Sequence, residues 1–480
     1  MTTLEVKNPR SGKIDASVEV VSPEQIAAIS AALHKAQPAW ADNTSGRYAA
    51  MQNWAGALWE RREAMARALT TDTGRRSVSY LETDGMVRRI EYWLERAPQL
   101  LAPAQEQKSE TAANVGYYLQ GVPVGVVGVI SPWNFPLTLS LVDAIPALFA
   151  GCAVLLKPSE ITPRFADVLA DSIKAVDELA QVFAVVTGDG STGAALVDEV
   201  DMICFTGSVA TGRKVAIQAA QNFIPACLEL GGKDPAIVLA DADLDAAADA
   251  ILRSAAGSIG QACMSVERVY AHQSLFDALV EKISDRAQAL QFNAVDIHRG
   301  QLPPFIFEQQ ADKVRKQLQD ALDRGATLHC GGMPEQINDG GYWQRPTVLT
   351  DITADMLLMN EETFGPLIPI IAFDGDEQAV QVANDSEFGL SACVFGTEDH
   401  AIAVASQLEA GAIGINDASM TALIHDVEKQ SFKHSGMGPS RMGNEGLLRF
   451  LRTRAIMIQR DAPASMMVFD ESLMPQGVST

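Results

Sequence analysis

The chain is predicted to be an α/β protein organised around a doubly wound parallel sheet. Short apolar, β-rich runs alternate along it with helical ones, as strand–helix–strand units require. Hydrophobic residues make up 47% and charged residues 20%, the balance of a folded globular protein. At 480 residues it exceeds one ordinary domain and can bury a sizeable core. No internal repeat or low-complexity linker divides it.

Each element has its own local signal. Ser22-Pro23-Glu24-Gln25 is a capping box with proline at the first helical position, and Ile26, Ile29 and Leu33 then share one helical face. Residues 121–130, GVPVGVVGVI, are β-rich and lead into Ser131-Pro132-Trp133-Asn134. The most apolar stretch, 136–156, is interrupted by Asp143, Pro146 and Gly151. It reads as a buried helix and turn, not a membrane span. The strand 152–156 closes that stretch at Lys157. Further strands are expected at 182–186, 202–205 and 236–239, and a helix begins after Asp241.

The net charge of -23 argues against nucleic acid or an anionic membrane as partner, because phosphate would be repelled. Six cysteines, at 152, 204, 227, 263, 330 and 393, form no C-x-x-C pair, which suits a reducing cytosol better than a disulfide framework. The N-terminal MTTLEVKNPRSGKIDAS has no apolar signal core, so the expected location is cytoplasmic. Neither H-E-x-x-H nor a close His/Cys cluster offers a metal site, and none is expected.

Glu229 and Cys263 carry the chemistry. Glu229 precedes a Gly231-Gly232 turn, and Cys263 ends the word Gly260-Gln261-Ala262-Cys263. A thiolate attacks carbonyl carbon, and a carboxylate can activate water against the resulting thioester. The pair therefore suggests oxidation of an aldehyde through an acyl-enzyme. A cysteine taken alone is more often a small buried hydrophobe, and the other five are read so. The words around Cys263 set it apart. Asn8-Pro9, Gln37-Pro38-Ala39-Trp40, Ser131-Pro132-Trp133-Asn134-Phe135-Pro136 and Lys157-Pro158-Ser159-Glu160 come first. Phe205-Thr206-Gly207-Ser208, Leu228-Glu229-Leu230-Gly231-Gly232-Lys233 and the cysteine word follow. Last are Glu361-Glu362-Thr363-Phe364-Gly365-Pro366, Phe388-Gly389-Leu390-Ser391 and Ser435-Gly436-Met437-Gly438. In that order they resemble the aldehyde dehydrogenase superfamily over nearly the whole chain.

The resemblance implies three domains. These are a Rossmann-like nucleotide-binding domain at 1–109 and 125–229, an α/β catalytic domain at 230–450, and a small β oligomerisation domain at 110–124 and 451–480. A homodimer or homotetramer follows from the last. It also implies that Cys263 is the nucleophile, that the Asn134 amide and the Cys263 N–H hold the oxyanion, and that Glu229 activates water. The presence of Glu229 separates the hydrolytic members from the CoA-acylating branch. The pyrophosphate would meet Gly207, Ser208 and the start of the helix containing Gly212, using the positive helix end. Ser131 and Trp133 would line the cofactor site. Lys157 and Glu160 would bind the adenosine ribose, Glu362 the nicotinamide ribose, and Phe364 would stand against the nicotinamide. Gly188 to Gly193 matches G-x-G-x-x-G, but no ribose acid follows at the expected distance, so that match is set aside. Glu160 repels a 2′-phosphate and the adjacent Lys157 offsets part of this. NAD is favoured and NADP stays open.

The resemblance breaks down late in the chain. Ser431-Phe432-Lys433-His434 stands where many members have Pro-Phe-Gly-Gly, and the segment from Asn416 to Phe432 looks a few residues longer. This segment borders the substrate funnel in the family, with Phe135, Ile259, Met264, Met420 and Phe432 expected to face it and Leu423 and Ile424 on the extended loop. None of these is cationic. The expected substrate is therefore an aromatic or medium-chain apolar aldehyde, unless Lys433 or His434 turns inward to anchor the carboxylate of a semialdehyde acid. The remaining alternative is a thiol esterase or acyl-transfer enzyme on the same scaffold.

Overall fold

A computed structural model of the chain describes residues 2–337 and 340–473. Two open sheets carry it. The first has six strands in the order Gly436–Met437, Ala226–Glu229, Met202–Thr206, Val126–Ile130, Ala153–Lys157 and Phe183–Val185. All are parallel except the Gly436–Met437 edge. The chain enters at Val126–Ile130, winds outward through Ala153–Lys157 to Phe183–Val185, then returns to lay Met202–Thr206 on the other side. That reversal is the switch point of a doubly wound sheet, where loops leaving the strand ends open a crevice. Ser131 to Asn134, Gly207 and Leu230 leave from those ends.

The second sheet has seven strands, ordered Thr327–Cys330, Thr347–Thr350, Leu367–Phe373, Val266–His272, Asp234–Val238, Ser391–Phe395 and Ala412–Ile415. Only Thr327–Cys330 runs antiparallel. Residues 230–233 step directly from the first sheet to the second. A third, antiparallel sheet joins Gln107–Lys108, Val115–Pro123 and Leu451–Gln459.

The local signals account for these elements. Ser22 caps the helix Pro23–Asp42 through the full reciprocal box, accepting from the Gln25 amide while Gln25 Oε1 accepts from the Ser22 amide at 2.8 Å. Asp243 caps Leu244–Ala256 by accepting from two amides of its first turn. Parallel strands are buried on both faces, so Val126–Ile130 and Ala153–Lys157 are apolar throughout apart from the terminal Lys157. The expected buried helix is Pro136–Phe149, with Cys152 behind it in the core.

The β-rich run at 121–130 divides between two sheets at Val124 and Gly125, where the oligomerisation segment was expected to give way to the nucleotide-binding domain. Gly125 has φ 120°, and a Cβ there would lie 2.1 Å from the Asp201 carboxylate that accepts from the Val126 amide. Only glycine allows the chain to switch sheets so close to that carboxylate. One feature differs from the sequence expectation: residues 436–450, placed by resemblance with the catalytic domain, pack against the first sheet. Gly436–Met437 pairs with Ala226–Glu229, and Leu447 and Phe450 join its core.

A buried charge cluster fastens that returning segment. Asp143, on Pro136–Phe149, accepts from Arg449 and from Arg441 Nη2 at 2.6 Å, and the same Arg441 nitrogen donates to Thr206 Oγ1 at 2.7 Å. Burial pushes the Asp143 carboxyl up, but the two guanidiniums outweigh it and hold it below the usual carboxylate value. Among the described residues no helix is long and apolar enough to cross a membrane.

Asp143→Asn keeps the side-chain size but leaves two buried guanidiniums uncompensated. It is expected to lose roughly 3–5 kcal/mol of unfolding free energy, read from the urea midpoint. Because the folded carboxyl is depressed, its contribution is present above the ordinary carboxylate range and lost as pH falls through the folded value. The variant's deficit should accordingly shrink below about pH 3–4, in the ordinary aspartate range. An unchanged midpoint at neutral pH would contradict the analysis.

Candidate active site

Cys263 is presented by a strained turn. Ser258, Ile259 and Gly260 are all left-handed, with φ of 54°, 50° and 71°. For a β-branched residue such as Ile259 that is a rare conformation. Gly260 is required there, since a Cβ would meet the Gly365 carbonyl at 2.5 Å. Gln261 then locks the loop. It is fully buried, its Oε1 accepts from the Ile306 amide at 3.0 Å, and its carbonyl accepts from Asn134 Nδ2 at 3.1 Å. The cysteine loop and the Ser131–Asn134 loop are thereby joined. One hydrogen of the Asn134 amide goes to Gln261, leaving the other for a ligand. Arg75, stacked 4.8 Å from the Phe135 ring centroid, donates to the Asn134 carbonyl from behind.

Cys263 and Asn134 line one cleft of about 230 Å³ together with Trp133, Gly207, Ser208, Glu362 and Phe364. Phe364, left-handed at φ 54°, packs its ring edge-on to Trp133 at 5.3 Å, and Trp133 meets Phe307 at 4.7 Å. Glu362 Oε1 accepts from the Gly232 amide at 3.2 Å. A Cβ on Gly231 would lie 2.6 Å from that oxygen, so glycine makes room for the carboxylate. Burial, reinforced by Glu267, pushes Glu362 up to about 7. Ser208 caps the helix Val209–Gln221 by accepting from the Thr211 amide, and the start of that helix borders the cleft.

Glu229 ends its strand beside this cleft, its Oε2 accepting from Ser431 Oγ at 3.0 Å. Lys157 and Glu160 stand together, Nζ to Oε2 at 3.4 Å, on the loop beyond the next strand. The G-x-G-x-x-G match opens a different helix, Gly190–Asp198, whose first turn is capped by the Asp189 carboxylate.

Other expected residues do not line this cleft. The Ser131 hydroxyl is turned into the protein, 2.7 Å from Ser140 Oγ. Gly212 donates its amide to the Ser208 carbonyl at 2.8 Å within the helix, and a Cβ there would strike Leu230 at 2.4 Å. Ile259, thrown inward by its left-handed turn, is fully buried in the core with Leu302, Phe305 and Val314, not in a substrate pocket. Phe432 pairs in the short ribbon with Phe388–Gly389 and is 46% exposed, while Leu423 and Ile424 are 68% and 40% exposed. Of the apolar set, Phe135, Met264 and Met420 are half-buried.

Other residues were missed. Lys233 and Glu267 form a buried pair at 2.7 Å, and the Glu267 carboxylate accepts from the Thr363 and Phe364 amides, both at 2.7 Å. Gln310 Nε2 donates to the Thr363 and Phe364 carbonyls, and Lys313, one turn on, puts a cation in the cleft wall. Lys433 and His434 face outward to Glu409 and Glu387. Lys429 turns inward instead, with Nζ 3.8 Å from Met264 Sδ and 2.5 Å from the Thr421 carbonyl. Burial pushes its ammonium down, and the charges of Glu229 and Cys263 pull it back up. It lies on the extended segment already noted for its departure from the family words. Burial pushes the Cys263 thiol up to about 12, with Glu229, Asp234 and Glu362 adding to the shift and Arg441 opposing it.

A model of the aldehyde dehydrogenase family matches residues 1–456. A putative NADP-linked succinate-semialdehyde dehydrogenase of Mycolicibacterium smegmatis is 34% identical over 94% of this chain and 87% of its own length. The solved putative aldehyde dehydrogenase PutA of Anabaena variabilis superposes with a TM-score of 0.94 at 46% identity, covering 97% of this chain and 99% of that one. A point mutant of betaine aldehyde dehydrogenase from Staphylococcus aureus, solved with NAD+, has a TM-score of 0.90 at 30% identity and covers 97% and 96%.

The raised thiol gives a direct test. In protein without added nucleotide, iodoacetamide labelling of Cys263 should be slow at pH 7. It should then climb about ten-fold per pH unit to at least pH 10, because only the thiolate reacts. Peptide mass spectrometry follows the rate. A plateau below pH 9 would show the surrounding carboxylates do not act on this sulfur as described.

Proposed function

The chain belongs to the aldehyde dehydrogenase family, and on that premise we propose that it oxidises an aldehyde with a remote negative charge to the free carboxylic acid, using NAD. The observation that carries the reaction class is the shared cleft in which Cys263 and Asn134 meet Glu362 and Phe364. In this reading the Cys263 thiol passes its proton to Glu229, the carboxylate with the largest influence on it, and the sulfur adds to the carbonyl carbon. The Asn134 Nδ2 hydrogen and the Cys263 amide hold the resulting oxyanion; such prearranged donors typically contribute about 3 kcal/mol. The carbonyl re-forms as hydride leaves, giving a thioester on Cys263. Glu229 first releases the thiol's proton to solvent and then takes one from water, whose oxygen attacks the thioester; the carbon–sulfur bond breaks, the sulfur leaves as thiolate and regains a proton from Glu229, and the acid departs.

The residues present fit a dinucleotide. The glycine at 231 lets Glu362 stand where a ribose hydroxyl would meet it, Trp133 and Phe364 form an aromatic wall, and the start of Val209–Gln221 offers a positive helix end to the pyrophosphate. NAD, when bound, accepts the hydride. Glu160, paired with Lys157, favours a 2′-hydroxyl over a 2′-phosphate, which supports NAD ahead of NADP.

The substrate class rests on Lys429. The apolar funnel loses Ile259 to the core and Phe432 to the surface, whereas Lys429 brings a half-buried ammonium beside Met264, the residue after Cys263. A tail carboxylate suits it and a cationic tail does not. This favours the chemistry named for the succinate-semialdehyde relative over that named for the betaine aldehyde one. The exposed Leu119, Ile456 and Met457 on the third sheet support a further copy of the chain packing there, as a homodimer or homotetramer.

Glu229→Gln should yield at most about one NADH per site on mixing with aldehyde, then stall. Multiple turnover at an unchanged rate would remove Glu229 from the role of base. For the substrate, kcat/KM should be highest for succinic semialdehyde in a panel with hexanal, benzaldehyde and betaine aldehyde. Lys429→Met should cut kcat/KM for the semialdehyde about 10–100-fold, as expected for a charge-assisted contact, with little change for hexanal. A panel led by hexanal or benzaldehyde would restore the apolar reading.

A further inference from the structure

We propose that Ser431 is a positioning residue for Glu229, holding one carboxylate oxygen so that the other is free to take the proton from water. This rests on the reading of Glu229 as the base. The contact is explicit: Ser431 Oγ donates to Glu229 Oε2 at 3.0 Å. The surrounding backbone is shaped to make it. Gly436 is the cross-strand partner of Glu229, and a Cβ on Gly436 would lie 2.7 Å from the Ser431 Cβ. The serine therefore occupies the side-chain space of Glu229's own neighbour and reaches the carboxylate over it. On the other side, a Cβ on Gly411 would lie 1.8 Å from the Gln430 carbonyl, so the turn carrying Ser431 is seated against a second glycine. The Leu230 amide donates to the Ser435 carbonyl at 2.8 Å, fixing the strand end to the same segment.

Glu229 needs this help because its strand ends at it and the next residues are Leu230-Gly231-Gly232, a turn with little side chain to confine a flexible carboxylate. Ser431 thus orients the base. Proline, which stands in this place in many family members, offers no donor, so this tether belongs to the departing segment of this chain.

The test follows acyl-enzyme decay directly, by rapid quench and intact mass spectrometry after mixing with aldehyde and NAD. In Ser431→Ala the burst of about one NADH per site should persist while acyl-enzyme decay should slow about ten-fold. Ser431→Thr should restore the decay rate. In the Glu229→Gln background, Ser431→Ala should add nothing further, since the hydroxyl acts through that carboxylate. Wild-type decay in Ser431→Ala would overturn the proposal, as would a slowing that Ser431→Thr does not rescue. If Glu229→Gln itself decays normally, it is the assignment of the base that fails; if it stalls while Ser431→Ala behaves as wild type, only the tether fails.

Discussion

The buried pair between Lys233 and Glu267 is the constraint on which the site depends. Lys233 ends the four-residue step between the two sheets, and Glu267 lies on the strand that follows the cysteine loop. Their carboxylate and ammonium meet at 2.7 Å, and Lys233 Nζ also donates to Thr363 Oγ1 at 2.8 Å. The two Glu267 oxygens take the amides of Thr363 and Phe364, so a loop from a third place in the chain is pinned to both. That loop carries Glu362 and Phe364 into the cleft. Coulomb attraction in a dry interior only about balances the desolvation of two charges, so the pair is a poor source of net stability. Its value is geometric, since every lone pair and proton it satisfies belongs to a segment that must be held in one place. Losing either partner leaves a buried charge and releases the loop.

The same crowding sets the electrostatics of the nucleophile. Burial, Glu229, Asp234 and Glu362 all disfavour the Cys263 thiolate. Asp234 is itself pushed up to about 8 by burial, with Ser391 donating to it. A sulfur kept as thiol is protected from alkylation and oxidation, which act on the thiolate. Attack therefore requires a proton acceptor at that moment, the part proposed for Glu229, whose carboxylate is held from outside by Ser431.

Much of this was legible from local sequence. Alternation of strand and helix predicted the doubly wound sheet, and the capping box at Ser22 is present atom for atom. Cys263, Asn134, Glu362 and Phe364 do share one cleft, because their words sit at strand ends and turns where backbone geometry is dictated locally. What failed depended on direction. Nothing in the string says that Ile259 is left-handed and so points into the core, or that Ser131 spends its hydroxyl on Ser140. Lys233 and Glu267 were missed as partners because ion pairs between distant residues leave no spacing signal.

The late segment illustrates a different limit. The chain keeps the family words around Asn134, Glu229 and Cys263 and abandons them between Asn416 and His434, the stretch proposed to receive the substrate's tail. There the structure replaces an expected apolar wall with exposed side chains, one inward ammonium and one hydroxyl. Lys429 and Ser431 are two residues apart in one irregular stretch, the first beside Met264 and the second on Glu229. In the proposed reaction a tail anion held at Lys429 would bear on the same stretch that presents Ser431 to the base, so that recognition of the substrate's far end and hydrolysis at its near end share one piece of chain.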